Sequence, residues 1–201
     1  SCMTTALALG VESITPFADL QGCKAMKDQG YLTAGERDGK KVDGFDLGNS
    51  PFEYMSPDLR GKRIAFTTTN GTQAIEKSRG AKEIVIGSFL NLSAVANYLN
   101  QGTNDVLIVC AGWKGKFNLE DTLFAGALVE QVQEFIEPEC DAPLAASHLY
   151  LNAKHDLVDY LKDASHVKRL ARLNIHKDIT FCMTANTYSV VPRLIDRRLV
   201  I

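Results

Sequence analysis

Short apolar runs rich in β-branched residues recur along this chain, with segments of helical spacing between them. Arg63-Ile64-Ala65-Phe66-Thr67, Glu83-Ile84-Val85-Ile86-Gly87 and Asp105-Val106-Leu107-Ile108-Val109-Cys110 lack polar alternation, as strands buried on both faces do. Strands are predicted over Val11–Ile14, Tyr31–Ala34, Arg63–Thr68, Glu83–Gly87, Asp105–Cys110 and Ile179–Met183, with a weaker β pattern near Ser189–Val191 and Leu199–Ile201. Helical spacing predicts Phe17–Asp28, Thr72–Arg79, Leu92–Asn100 and Leu119–Ile136, then Ala142–Asn152, Asp156–Lys162 and Ser165–Leu173 in succession. The alternation predicts an α/β fold, layered α/β/α around a mostly parallel or mixed central sheet, with a helix-rich C-terminal third. A single domain over 1–201 is expected, with 138–176 as a helical segment inside it. The chain shows no repeat, no low-complexity stretch and no Gly/Ser linker that demands a boundary.

Two helix starts carry capping chemistry. Ser50-Pro51-Phe52-Glu53 places a hydroxyl, a proline and a carboxylate in the order of a capping box. Asn118 precedes Leu119-Glu120-Asp121, so its side chain is positioned to cap and the two carboxylates fall in the positive first turn.

Composition narrows the class of function. Lys and Arg number 22 against 24 Asp and Glu, a net charge of −2, which argues against a sequence-blind nucleic-acid binder. Hydrophobic residues at 45% are enough to build a core, so disorder is excluded for the chain as a whole. No apolar run reaches the roughly 18 residues a spanning helix needs, and no membrane partner is expected. The first ten residues lack the basic leader and apolar stretch of a secretory signal. Five cysteines without a C-x-x-C pair read as reduced, buried thiols, and the expected compartment is the cytoplasm.

Three polar loops carry the candidate chemistry. In Thr67-Thr68-Thr69-Asn70-Gly71-Thr72 a buried strand runs into a turn whose backbone N–H groups and threonine hydroxyls suit a phosphate or carboxylate. Asn70-Gly71 as a plain turn with Thr72 as a cap accounts for the same residues about equally well. The segment from Gly35 to Pro51 holds four glycines and both signs of charge, including Glu36, Arg37, Asp46, Asn49 and Ser50; Arg37 offers a fork for an anion. A solvated loop with cancelling charges is the simpler account, although a loop of this length tends to be functional. After Cys110 come Ala111-Gly112-Trp113-Lys114-Gly115-Lys116 and then Glu120-Asp121. That adjacent carboxylate pair suits Mg²⁺, and serves equally as helix-start electrostatics. Cys110 is a conceivable nucleophile, yet a cysteine closing an apolar strand is more often inert packing.

Absent motifs exclude several enzymes. There is no G-x-x-x-x-G-K-[ST], G-x-G-x-x-G or G-x-S-x-G. Lys116 stands where a cysteine phosphatase loop based on Cys110 requires arginine, and no D-x-D follows an apolar strand. His148, His155, His166 and His176 have no metal-ligand spacing.

Taken in order, Gly35-Glu36-Arg37, Gly44-Phe45-Asp46-Leu47-Gly48-Asn49-Ser50-Pro51, Thr67-Thr68-Thr69-Asn70-Gly71-Thr72, Cys110-Ala111-Gly112, Glu120-Asp121 and Val190-Val191-Pro192 closely resemble the 2-phosphosulfolactate phosphatase (ComB) family across nearly the whole chain. The resemblance implies an α/β fold and a Mg²⁺-dependent phosphatase that converts 2-phosphosulfolactate, or a related phosphorylated 2-hydroxy acid, to sulfolactate and phosphate on a route to coenzyme M. Family members begin with a further strand and an Asp-x-x-Arg-Ala-Thr-like stretch; this sequence is read as starting just after it.

On this reading Thr67, Thr68, Thr69, Asn70, Gly71 and Thr72 bind phosphate together with Arg37, Asn49, Ser50, Gly112 and Lys114. Glu120 and Asp121 hold the metal, and Glu36 and Asp46 serve as further ligands or proton-handling groups. Lys114 and Lys116 meet the substrate's other anionic group. The expected partner is a small anionic phosphoester, and the base rate for soluble proteins gives a homo-oligomer. Two alternatives from other classes stand beside it: a phosphoanion-binding module that has lost turnover, and a hydrolase acting through Cys110.

Overall fold

Residues 1–165, 167–168 and 176–201 are described by a computed structural model. They form two compact units, one of residues 1–86 with 190–201 and one of residues 87–189. The first holds six strands: β1 (Ser13–Pro16), β2 (Leu32–Arg37), β3 (Lys40–Lys41), β4 (Arg63–Thr67), β5 (Arg193–Ile195) and β6 (Arg198–Val200), in spatial order β3-β2-β4-β1-β6-β5. β1 and β2 flank β4 in parallel, while β3, β5 and β6 join antiparallel, so the sheet is mixed.

Period-two alternation on β4 builds the layers. Ile64 and Phe66 point to one face, where Ile14, Ala34 and Leu199 meet Ala6 and Leu7 of α1 (Cys2–Ala8) together with Tyr54 and Leu59. Ala65 points to the other, against Cys23 of α2 (Leu20–Ala25) and Phe45. Both faces are therefore covered, as the apolar composition of β4 predicts. α3 (Gly71–Lys77) follows β4 and adds Ile75 to the α1 side. α1 was not predicted, because a short helix buried at Cys2, Met3, Thr4, Thr5, Ala6 and Leu7 shows no amphipathic period.

The second unit is helical: α4 (Leu92–Asn100), α5 (Leu119–Val132), α6 (Asp141–Ala153), α7 (Leu157–Tyr160) and α8 (His176–Cys182). α5 and α6 approach closely at Gly126, where a Cβ would lie 2.0 Å from the Ala146 carbonyl oxygen, and Glu130 accepts a hydrogen bond from the Ser147 hydroxyl. Phe89 meets Phe124 edge-on at 5.7 Å. Among the described residues no helix is long and apolar enough to cross a membrane.

Several predicted elements change. β1 lies two residues later than predicted, and β2 continues through Gly35-Glu36-Arg37, which were read as loop. The reason is the Asp38-Gly39 pair: with φ of 53° and 81° it makes a two-residue turn that returns the chain as β3. Glu83–Gly87 keeps only a bridge between Val85 and Arg193. Asp105–Cys110 forms no ladder; Leu107 is 87% exposed and Val109 48%, so a strand buried on both faces is corrected to an open segment. Ser189–Val191 is likewise outside any strand. Ile179–Met183, predicted as strand, is mostly α8, because Ile179 and Met183 at i, i+4 bury on one helical face and override β-branched propensity. The helix predicted over Ser165–Leu173 falls largely on residues outside those described, as does His166.

Both predicted caps are also corrected. Asn118 stands at the N-cap of α5 but its side chain makes no cap bond. Pro51–Met55 is a 3-10 helix, Ser50 makes no cap bond, and Glu53 turns back to accept the Gly48 N–H at 2.9 Å.

Candidate active site

The parallel strands bring the end of β2 beside the end of β4, with Gly35 opposite Thr67. A Cβ on Gly35 would sit 2.4 Å from the Thr67 carbonyl oxygen and 2.9 Å from its Cγ2, so this approach requires glycine. Two residues on, Arg37 lies over the same edge. Its Nη1 donates to the Glu36 carbonyl at 2.7 Å and its Nη2 to the Thr67 hydroxyl at 3.0 Å. A guanidinium has five N–H donors in a fixed fork, so these two bonds set its orientation while leaving capacity for an anion.

Glu36 is only 6% exposed. Its Oε1 accepts the Thr69 N–H at 2.8 Å and its Oε2 accepts the Gly39 N–H at 2.9 Å. One carboxylate thus spans the β2–β3 turn and the turn after β4. The sequence signal for this arrangement is the Asp38-Gly39 pair, which suits a two-residue hairpin turn.

The four threonine hydroxyls are not equivalent. Thr68 and Thr72 satisfy each other: the Thr72 hydroxyl accepts the Thr68 N–H at 3.2 Å and donates to the Thr68 carbonyl at 3.0 Å, and the Thr68 hydroxyl accepts the Thr72 N–H at 3.3 Å. That closes the turn at the start of α3, but Thr72 lies inside the helix and is not the cap read from sequence. Thr67 accepts from Arg37. The Thr69 hydroxyl is buried and has no partner among the described residues. Asn70 is the N-cap residue and Gly71 opens the helix.

Asp46 has different neighbours. Its Oδ2 accepts the Thr33 N–H at 2.8 Å and the Thr33 hydroxyl at 2.9 Å, and its Oδ1 pairs with Lys27 at 3.2 Å. Burial alone would raise its pKa, but the Thr33 bonds and the Lys27 charge outweigh that and hold it below the ordinary carboxylate value. Asp46 therefore braces the loop at Thr33, three residues back along β2 from Glu36. A group depressed in the folded state stabilises above its unfolded pKa and loses that contribution as pH falls through the folded value. In urea titrations the stability difference between the native chain and Asp46→Asn should be constant near neutrality and shrink below about pH 4. A difference independent of pH would refute the assignment.

Asn49 and Ser50 are placed by another set of bonds. The Cys2 thiol donates to the Asn49 carbonyl at 3.2 Å, and the Tyr54 hydroxyl donates to the Gly48 carbonyl at 2.7 Å.

Within the second unit, Trp113-Lys114-Gly115-Lys116 forms a two-residue turn with φ of 49° at Lys114 and 75° at Gly115, and the Lys114 ammonium lies 5.3 Å from the Trp113 ring centre. Gly112 has φ of 68° and donates its N–H to Asp121 at 2.6 Å, joining the loop to the first turn of α5 where Glu120 also sits. Cys110 and Cys140 are exposed, not buried as read from sequence; partial desolvation, and then the Asp121 carboxylate, push the Cys110 thiol up. Among the described residues no cluster of three or more His, Cys, Asp or Glu side chains is arranged to hold a metal.

The 2-phosphosulpholactate phosphatase family model matches residues 1–197. A Thermotoga maritima protein described as "Probable 2-phosphosulfolactate phosphatase" is 42% identical over 196 residues, covering 98% of this chain and 85% of its own. Proteins with the same description from Caldanaerobacter subterraneus and Gloeobacter violaceus are each 41% identical over 199 residues, covering 96% of this chain and 83% of theirs. A match over nearly every residue, with the Gly35–Arg37 and Thr67–Thr72 segments inside it, places this chain in the 2-phosphosulpholactate phosphatase family.

Proposed function

We propose that this chain is a phosphoric monoester hydrolase acting on 2-phosphosulfolactate or a related phosphorylated 2-hydroxy acid, releasing phosphate and leaving sulfolactate, as in coenzyme M biosynthesis. The observation that carries the reading is the Arg37 fork fixed against Thr67 at the carboxyl edge of β2 and β4, with a buried Thr69 hydroxyl two residues further along that has no partner among the described residues. Phosphoryl transfer asks mainly for positioning and for charge stabilisation. Arg37 supplies charge and two-point geometry toward phosphoryl oxygens. Thr69 supplies a hydroxyl without a partner among the described residues, and a hydrogen bond to an oxyanion would satisfy it.

Mg²⁺ dependence belongs to the same proposal. The oxygen-only donors of Glu120 and Asp121, both in the second unit, suit a hard cation that takes one or two carboxylates and keeps several waters. The Gly112 N–H orients Asp121. A cytoplasmic homo-oligomer handling a small anionic substrate completes the reading.

The deciding experiment is phosphate release from 2-phosphosulfolactate and from phospholactate, with and without Mg²⁺. Phosphate binding without release would reject the enzyme in favour of a binding module. A nucleophilic thiol needs a lowered pKa, and that of Cys110 is raised. Cys110→Ser should therefore keep most of the turnover; near-complete loss would restore the cysteine mechanism.

A further inference from the structure

Glu36 lies at the end of β2, next to a residue proposed to grip phosphate, and an acid–base role is the natural first assignment. Its surroundings argue otherwise. The side chain is 6% exposed, and each carboxylate oxygen accepts one backbone N–H, from Thr69 at 2.8 Å and from Gly39 at 2.9 Å. Both donors are backbone amides, so each carboxylate oxygen is already engaged as an acceptor. The same residue's carbonyl receives the Arg37 guanidinium at 2.7 Å. Glu36 thus contacts three parts of the cradle: the β2–β3 turn, the turn carrying Thr69, and Arg37.

We propose that Glu36 is a positioning residue, a buried carboxylate latch that sets the Thr69 turn and the Asp38-Gly39 turn against each other so that Arg37 and the Thr69 hydroxyl meet one anion together. This deepens, and rests on, the phosphatase reading above. Because one side chain bonds both turns, ordering either by a ligand orders the other, which is a coupling between them.

The test uses the full chain. In the native protein, amide exchange at Thr69 and Gly39 should be slow, and inorganic phosphate should slow both in concert. Glu36→Gln sets an amide NH₂ against a backbone N–H, so both amides should exchange faster together while the Glu12 N–H, bonded to the Lys62 carbonyl, stays as it was. Its Kd for inorganic phosphate and its KM should rise on the order of tenfold, with both limbs of the pH–rate profile in place. Glu36→Asp, which keeps the charge on a shorter arm, should recover part of the affinity.

Loss of a pH limb in Glu36→Gln at unchanged KM would overturn the proposal, because that marks a proton-transfer group. Native Thr69 and Gly39 amides that respond independently to phosphate would also overturn it, whether or not the variant folds. Failure of the phosphatase reading looks different: the native chain would release no phosphate, while the two amides still moved together.

Discussion

Arg37→Ala is expected to lower kcat/KM for phosphate release by roughly 10²–10³-fold, the range measured when one preorganised transition-state donor is removed. The guanidinium is held from behind by the Glu36 carbonyl and the Thr67 hydroxyl, so its outward face is aimed before substrate arrives. Alanine removes the charge and leaves the Thr67 hydroxyl without its donor. Arg37→Lys should recover only part of the loss, since an ammonium is a point charge that cannot bond two backing groups and present a planar fork at once. Steady-state kinetics of the three proteins, with phosphate titrations alongside, provide the check. Equal kcat/KM for native and alanine forms would remove the central element of the proposed mechanism.

Gly35→Ala should be the most damaging single methyl in the sheet. Its Cβ would fall 2.4 Å from the Thr67 carbonyl oxygen, a backbone atom that moves only if β4 moves. Overpacking a rigid site costs about 1–3 kcal/mol and sometimes more. A backbone clash belongs at the upper end, so a Tm fall of roughly 10 °C is expected for a chain of this size. Separating β2 from β4 also pulls Arg37 away from Thr67, so activity should fall even at temperatures where the variant is folded. Gly80→Ala is the control: nothing lies within 4 Å of its Cβ position, and its Tm should stay near native. Similar melting of both alanine variants would show that the close approach of β2 and β4 is not needed.

Some of this was legible in the residues. Arg63-Ile64-Ala65-Phe66-Thr67 is a buried strand because its side chains are apolar on both faces, and the structure covers both. Leu92–Asn100 is the helix its spacing predicts. Local pattern failed where a partner was required. Asp105–Cys110 has ideal strand composition yet forms no ladder, because composition supplies propensity and a ladder needs a neighbour in register. Ile179–Met183 reads as strand by residue type and folds mostly as helix, because Ile179 and Met183 bury together only at helical spacing.

The same division holds at the site. Sequence alone determined the chemical inventory: a strand-to-helix turn with four threonines, an arginine after Gly35, and an ordered set of loops that marks the family. Tertiary structure decided which of those groups bond one another. Thr68 and Thr72 bond each other, Asp46 pairs with Thr33 and Lys27, and Glu36 reaches across 33 positions to the Thr69 amide. The physical reason is that a hydrogen bond is satisfied in space, and the parallel pairing of β2 with β4 places Gly35 against Thr67 irrespective of the chain between them.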